Sequence, residues 1–418
     1  MKNVMKKLLA VGITVAMTAS LAACGGSSAS TDTAAPAAPA ADAAAPAAEE
    51  AAPAAEEAAP AAEEAAAPAA DGKVKIGVSI WSSTDVLGSQ CKLILDEAAK
   101  AVGADIQYVD QGHVSEQVTA SVEQLAAAGC QGIIICNSAD SEMASAIQTC
   151  NDNKVYLAQF FRIISEENSP EIYKMAQESP YFIGAVHEDE VANGQELMRI
   201  LTEEKGCRDI GLIGWEQGDA TFLGRWEGYK KGLEAWNAAH PDDQAVLSEP
   251  QYAGTSSDGG RQAAEALMSA DPNIDALIPA GGGGDPLQGA IAAVEGAGKT
   301  GQIAIVSTDF LPDLGERLEN GSMAGESGGH YCDPLFAFML VYNAVKGNYQ
   351  VATDSFENVK FPYLFVASKE DYDNYAKYFV DELPYTEEEL KEMSELSLPD
   401  LETKAGSLSL EDVQARHG

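Results

Sequence analysis

From Lys73 onward the apolar positions follow two periods that take turns. Val74 to Ile80 reads as a strand, and Val86 to Ala101 follows with helical spacing at Leu87, Cys91, Leu93/Ile94 and Ala98. Asp105 to Val109 predicts a second strand. Val114 to Ala128 predicts a helix with Val118, Val122, Leu125 and Ala126 on one face. Gly132 to Cys136 is apolar throughout, as expected of a strand covered on both faces inside a parallel sheet. A helix through Ile147 and a strand from Val155 to Phe161 complete this unit.

The rhythm then restarts. Strands are predicted at Tyr181 to Val186, Asp209 to Gly214, within Gln244 to Tyr252, at Ala276 to Ile278, Ile303 to Ser307 and Met323 to Ser327. Helices are predicted at Val191 to Glu203, Phe222 to Ala239, about 259–269, Pro286 to Gly296 and Asp333 to Val345. A late strand is expected over Val359 to Val366, and residues 370–418 read as acidic helical decoration with a loose tail. Short strands alternating with longer helices imply βαβ units. The expected fold is therefore α/β, with two successive doubly wound parallel-sheet lobes.

Ligands of such sheets sit beyond the carboxyl ends of the strands. That rule selects Trp81 to Thr84, Asp110 and Gln111, Asn137 to Asp140, Gln159 to Arg162, Trp215 to Gln217, Gly281 to Asp285, and Asp309 with Phe310. The set combines aromatic faces, amides and carboxylates. Flat rings can stack on the C–H faces of a sugar, while the planar polar groups bond its hydroxyls. Each residue also has a plainer reading. Trp81 and Trp215 could cap core layers, and Asn137 and Asp140 could cap the next helix. Phe160 and Phe161 cannot both face the same way in a continuing strand, so one is expected to line a cleft and the other to pack. The Gly281–Gly284 run lacks the Lys-Ser/Thr of a phosphate loop. No GxSxG, HExxH or Cys-His signature appears, so no enzyme, cofactor or metal site is expected.

The N-terminus changes the picture of where the chain works. Lys2, Lys6 and Lys7 precede an uncharged, mostly apolar run from Leu8 to Leu21, then Leu21-Ala22-Ala23-Cys24-Gly25. Residues 1–23 read as a signal peptide, and the segment resembles a bacterial lipobox with Cys24 as the lipidated residue. Residues 24–72 read as a tether. Ala44–Glu50, Ala51–Glu57 and Ala58–Glu64 are copies of one another, and a Pro in each interrupts any helix. The expected location is extracytoplasmic, lipid-anchored to the cell membrane. With 65 Asp plus Glu against 26 Lys plus Arg, the formal charge of −39 repels phosphate backbones, which excludes nucleic acid as a partner. Cys91, Cys130, Cys136, Cys150, Cys207 and Cys332 have irregular spacing. Free thiols are favoured, with one disulfide left open.

The ordered motifs resemble the type I periplasmic binding proteins, the ribose-binding-like solute receptors of ABC sugar importers. The markers are Lys75-Ile76-Gly77-Val78-Ser79, the run from Leu125 to Ile135 with Asn137 and Asp140, and Ile183 to Asp189 with Gly194. They continue with Arg225-Trp226-Glu227-Gly228-Tyr229, Ala276-Leu277-Ile278 and Ile305-Val306-Ser307-Thr308-Asp309. The resemblance implies chain crossings near His187, Gly328 and Ser355. The first lobe would be 73–187 plus 329–355, the second 188–328 plus 356–369, and 370–418 an extension. It also implies a three-segment hinge that closes on a solute.

Arg225 matches the family's ligand-binding Arg, and Asp309 the Asp that accepts from sugar hydroxyls. Gln159 and Phe160 stand where many members have Asp-Arg. Gly283 stands where Asn is common, and Gly328 or Gly329 where Gln is common; these departures are expected to remove donors and open space. The expected ligand-binding residues are Trp81, Gln159, Phe160, Trp215, Arg225 and Asp309. The implied function is a lipoprotein that captures a small polar solute, most readily a sugar, and delivers it to ABC permease subunits. Two alternatives stay open: a sensory lipoprotein of the same fold, and a receptor for a non-sugar metabolite such as a nucleoside.

Overall fold

Two mostly parallel sheets organise the chain. The computed structural model describes residues 72–281, 285–349 and 356–418. The expected signal peptide, Cys24, the Ala/Pro/Glu repeats and Gly283 lie outside the described residues.

The first sheet contains β1 (Lys75–Ile80), β2 (Asp105–Asp110), β3 (Gly132–Ile135), β4 (Tyr156–Phe160), β5 (Phe182–Glu188) and the late β12 (Glu357–Phe361). Its order is β12-β5-β4-β3-β1-β2, and every pairing is parallel. Side-chain alternation explains why its central strands are apolar at every position. Ile133, Ile135 and Leu157 pack with residues of α2 (Ser115–Ala127), α3 (Asp140–Asn153) and α4 (Pro170–Glu178). Ile134, Ala158 and Phe160 join a core with α1 (Val86–Val102) and α10 (Asp333–Val345). The start and stop of α1 are set locally. Asp85 accepts from the Gly88 N–H, and Gly103 leaves the helix at φ 71°.

The second sheet contains β6 (Asp209–Gly214), β7 (Val246–Leu247), β8 (Gln251–Tyr252), β9 (Ala276–Pro279), β10 (Ala304–Thr308), β11 (Gly325–Gly328) and β13 (Leu364–Val366). The order is β13-β11-β10-β9-β6-β7, with β8 also paired to β6. Only β13 runs antiparallel to its neighbour. Four helices flank it: α5 (Glu190–Arg199), α6 (Ala220–Ala239), α7 (Ser257–Ala270) and α8 (Asp285–Gly296). A shorter α9 (Leu314–Asn320) follows β10.

The predicted late strand over Val359 to Val366 is two strands in two sheets. Pro362 interrupts it, and β12 pairs with β5 while β13 pairs with β11. The third crossing therefore runs through Pro362 and Tyr363, and Glu357–Phe361 belongs to the first lobe. This corrects the expected crossing near Ser355.

The C-terminal extension is not loose. It forms α11 (Lys369–Tyr375), a wide helical turn (Ala376–Asp381), α12 (Glu387–Met393), α13 (Leu398–Gly406) and α14 (Leu410–His417). Leu390, Met393, Leu401, Ala405 and Val413 are buried. Helix α11 packs on α9 and β13 of the second lobe, whereas α12 packs on α1, and α13 on β12 and α10 of the first. Glu389 fastens the end of the chain through Arg416 and through His417 at 2.9 Å. All six cysteines after residue 72 are free and buried.

Candidate ligand-binding site

The strand ends of the two sheets meet around the crossings. After β1, Trp81 is half-buried, and its Nε1–H donates to Asp85 Oδ2 at 2.5 Å. Its ring lies parallel to His113, which follows β2, with centroids 5.9 Å apart. The same ring tilts against Phe161 at 5.7 Å.

Phe160 itself is fully buried in the core, and Phe161 is the ring at the lobe junction. This corrects the expected role of Phe160. The reason is backbone geometry. Phe161 sits at φ 60°, an uncommon conformation for a bulky residue, where the chain leaves β4. Its N–H is held by Val186 O at 3.0 Å and by Asp333 Oδ1 at 3.3 Å. Gln159 is buried with Nε2–H donating to Asn137 Oδ1 at 2.8 Å, and its Oε1 has no partner among the described residues. Arg162 turns back to donate to Phe161 O at 2.8 Å. Burial works against its charge, while Cys136, Glu188, Asp219 and Glu190 support it.

In the second lobe a glycine stripe sets the geometry. Gly224, Gly228 and Gly232 recur every fourth residue on α6 and face α5. A Cβ on Gly228 would lie 2.2 Å from Val191 O, and one on Gly194 2.2 Å from Arg225 O. The resulting close approach puts Arg225, only 3% exposed, beside Glu190. Arg225 Nε–H donates to Glu190 Oε2 at 2.7 Å, and Nη2–H donates to Tyr363 OH at 3.1 Å. Tyr363 OH in turn donates to Glu190 Oε1 at 2.9 Å. The guanidinium lies over the half-buried Trp215 ring at 5.3 Å. Burial opposes its charge, but Glu190 and Tyr363 outweigh that and hold it firmly protonated. Nη1 has no partner.

Asp309 follows β10 at φ 74°, and its Oδ1 is 3.1 Å from His330 Nε2. A buried hydroxyl and amide ladder supports it from below. Asn193 Nδ2–H and Ser327 Oγ–H both donate to Thr308 Oγ1, at 3.2 and 3.0 Å. Glu188 and Asp333 form an acidic pair at the crossings. Burial, set against His330, moves Glu188 up to about 7. Burial and then Glu188, to which it is hydrogen-bonded, hold Asp333 well above the usual carboxylate range.

Gly328 and Gly329 do not open the space expected of them. A Cβ on Gly328 would meet the Phe310 ring at 2.7 Å, and one on Gly329 would meet Leu364 at 2.5 Å. Sequence reasoning brought Trp81, Trp215, Arg225 and Asp309 to this junction. It did not single out Glu190, His330 or Tyr363. His330 carried a readable signal, since it stands just past a strand end; Tyr363 was hidden inside a strand predicted as continuous. Two surface recesses lie elsewhere. One of about 350 Å³ runs between α5 and α6 at Trp236 and His240, and one of about 500 Å³ lies between α7 and α8.

Two three-layer lobes joined by three crossings, with polar strand ends facing the junction, define a hinged solute-binding protein. The profile of the family described as periplasmic binding protein domain matches residues 76–330, and the chain belongs to that family. Solved structures agree on the fold. An ABC transporter periplasmic solute-binding protein from Actinobacillus succinogenes 130z with bound D-allose is 18% identical. It has a TM-score of 0.60 and covers 72% of this chain and 100% of its own. A solute-binding protein from Bacillus halodurans C-125 with bound myo-inositol is 19% identical, with TM-score 0.58 and coverage of 73% and 98%. One from Agrobacterium vitis with alpha-D-tagatopyranose is 16% identical, with TM-score 0.60 and coverage of 74% and 98%. Comparison with curated proteins gives no match. Among the described residues no helix is long and apolar enough to cross a membrane.

Proposed function

We propose that the chain captures a small neutral polyol, a sugar or cyclitol, between its lobes and passes it to ABC permease subunits. The observation that carries this reading is the junction itself. A buried Arg225 keeps one N–H unpaired among the described residues, beside carboxylates at Glu190 and Asp309 and the half-buried rings of Trp81 and Trp215. Vicinal hydroxyls both accept and donate, which suits guanidinium and carboxylate groups placed together. The aromatic faces supply apolar area for the C–H side of a sugar ring. Trp81, Trp215, Arg225 and Asp309 are the proposed contacts, with Phe161 in place of Phe160 and Gln159 as a buried support. Attachment through lipid on Cys24 and an extracytoplasmic location complete the proposal. Incorporation of radiolabelled palmitate, abolished by Cys24→Ser, tests the anchor.

A thermal-shift screen tests the capture. The full chain is heated with D-allose, L-arabinose, D-tagatose and myo-inositol, and with adenosine and leucine as other classes. A sugar or cyclitol at a hundred times its Kd adds about 2.7 kcal/mol of stability and raises the melt. A rise with adenosine or leucine alone would overturn the carbohydrate reading while keeping a receptor. No rise with any compound would remove support for both.

A further inference from the structure

His330 lies where the chain returns to the first lobe, and it rests on contacts from several directions. It is 6% exposed and follows Gly329, whose φ of 79° turns the chain there. Its Nε2 is 3.1 Å from Asp309 Oδ1 at the end of β10. Phe161 of the first lobe meets the ring edge-on at 5.3 Å, and Tyr363 of the third crossing lies at 5.1 Å. The charged and titratable groups facing it are Asp309 from β10, Glu188 from β5, Arg225 from α6 and the Tyr363 phenol.

The ring has one nitrogen committed and one left over. Nδ1 is buried and has no hydrogen-bond partner among the described residues. Arg225, which acts on it electrostatically, carries the same surplus: its Nη1 is also buried and has no partner among the described residues. Buried polar atoms are normally bonded, and two at one junction call for a shared partner. Burial disfavours the imidazolium, but the Asp309 hydrogen bond and the Asp309 and Glu188 charges outweigh it against Arg225, so the ring holds its proton above the ordinary range.

We propose that His330 is a solute-binding residue that works as an imidazolium, its Nε2–H held by Asp309 and its Nδ1–H given to a hydroxyl oxygen of the captured solute. The inference rests on the polyol reading. Arg225 Nη1–H supplies a second donor. A neutral imidazole bonded to Asp309 through Nε2–H has no proton on Nδ1 to give. Capture is therefore proton-linked. Affinity is highest below the raised pKa of His330 and falls as pH rises through it, because a weaker neutral bond, with Nδ1 accepting from the hydroxyl, replaces the charge-assisted one.

The test compares wild type, His330→Gln and His330→Ala, each as the full chain. D-allose, L-arabinose, D-tagatose and myo-inositol are titrated by thermal shift from about pH 6 to about pH 9, which brackets a raised imidazole. Wild-type affinity for the sugar that shifts the melt should fall about tenfold or more across that range. His330→Gln should bind more weakly at the acid end and show a flatter profile, and His330→Ala should be weaker still. Equal affinity and an equal profile in wild type and His330→Gln would overturn the assignment and leave the receptor reading intact. Should the variants fail to fold, the ¹⁵N shifts of the His330 ring in wild type decide. A saturating sugar should move Nδ1, and an unmoved Nδ1 overturns the proposal. A wild type that no panel compound shifts at any pH removes the polyol reading, and this inference with it.

Discussion

At the scale of single residues, the junction pairs Arg225 with Glu190 and His330 with Asp309. Arg225→Ala deletes the donor and strands Glu190 at a side-chain exposure of 19%. Breaking a buried pair this way costs about 3–5 kcal/mol, so the variant should both bind at least tenfold more weakly and melt lower. Arg225→Lys keeps the charge but not the fork that reaches Glu190 and Tyr363 together, and it should recover stability better than affinity. Unchanged affinity in both would remove Arg225 from the site.

A second residue-scale prediction concerns Glu188. Its folded-state pKa is raised to about 7, so its contribution to stability is fully present below the ordinary carboxylate range. That contribution is lost as pH rises through about 7. Wild type should lose melting temperature between about pH 5 and about pH 7.5, and Glu188→Gln should flatten that loss. An unaltered pH profile in the variant would place the titration elsewhere.

Much of this residue set was legible in sequence because strand ends are legible. Trp81, Trp215, Arg225 and Asp309 all follow from locating the strands or the motif after one. Alternation also required that Phe160 and Phe161 part company. It could not say which turned inward, because the left-handed backbone at Phe161 is a tertiary outcome held by Val186 and Asp333. The contacts of His330 and Tyr363 join segments separated by as many as 173 residues and leave no local period.

At the scale of elements, the packing of α5 against α6 places the guanidinium. Gly228→Ala tests it. The change gains about 1 kcal/mol of helix propensity. The added Cβ would stand 2.2 Å from Val191 O and 2.8 Å from Gly194 Cα, and backbone atoms cannot swing aside. Overpacking of this kind costs about 1–3 kcal/mol, so the net effect should be a lower melt with weakened solute binding. A melt at or above wild type would show that the helices separate freely.

Alternation of strands and helices predicted nearly every element, since two-sided burial makes strands such as Ile133–Ile135 apolar without interruption. The misses have local causes. Helix α4 has only nine residues, so its apolar face of Ile172, Met175 and Ala176 is too short to show a sustained period. The segment ending at Val366 looked like one strand because both halves are apolar on alternate residues. Pro362 marked the break, and no local feature says that a chain changes sheets there.

At the scale of the whole molecule, the C-terminal extension holds both lobes. Phe310, next to Asp309, packs on Tyr375 at 4.4 Å, and Tyr331, next to His330, donates to Phe379 O at 2.9 Å. Both contacts sit directly behind site residues. Removing the extension after Ser368 would uncover the surfaces now covered by Phe379, Leu390, Met393, Leu401 and Val413. At about 1.5–3 kcal/mol for each buried apolar side chain, the loss rivals the whole stability of an ordinary domain. The truncated chain should melt far lower or fail to fold, whereas a melt close to wild type would make the extension mere decoration. The acidic composition read as a loose tail because its apolar residues are sparse. Their burial depends on a surface that the first 368 residues build.

The central claim is capture of a neutral polyol at this junction, and calorimetric titration of the full chain tests it most directly. The account predicts saturable binding of one sugar or cyclitol per chain, lost in Arg225→Ala and Asp309→Ala. Saturable binding that survives both substitutions, or none with any sugar or cyclitol, would contradict it.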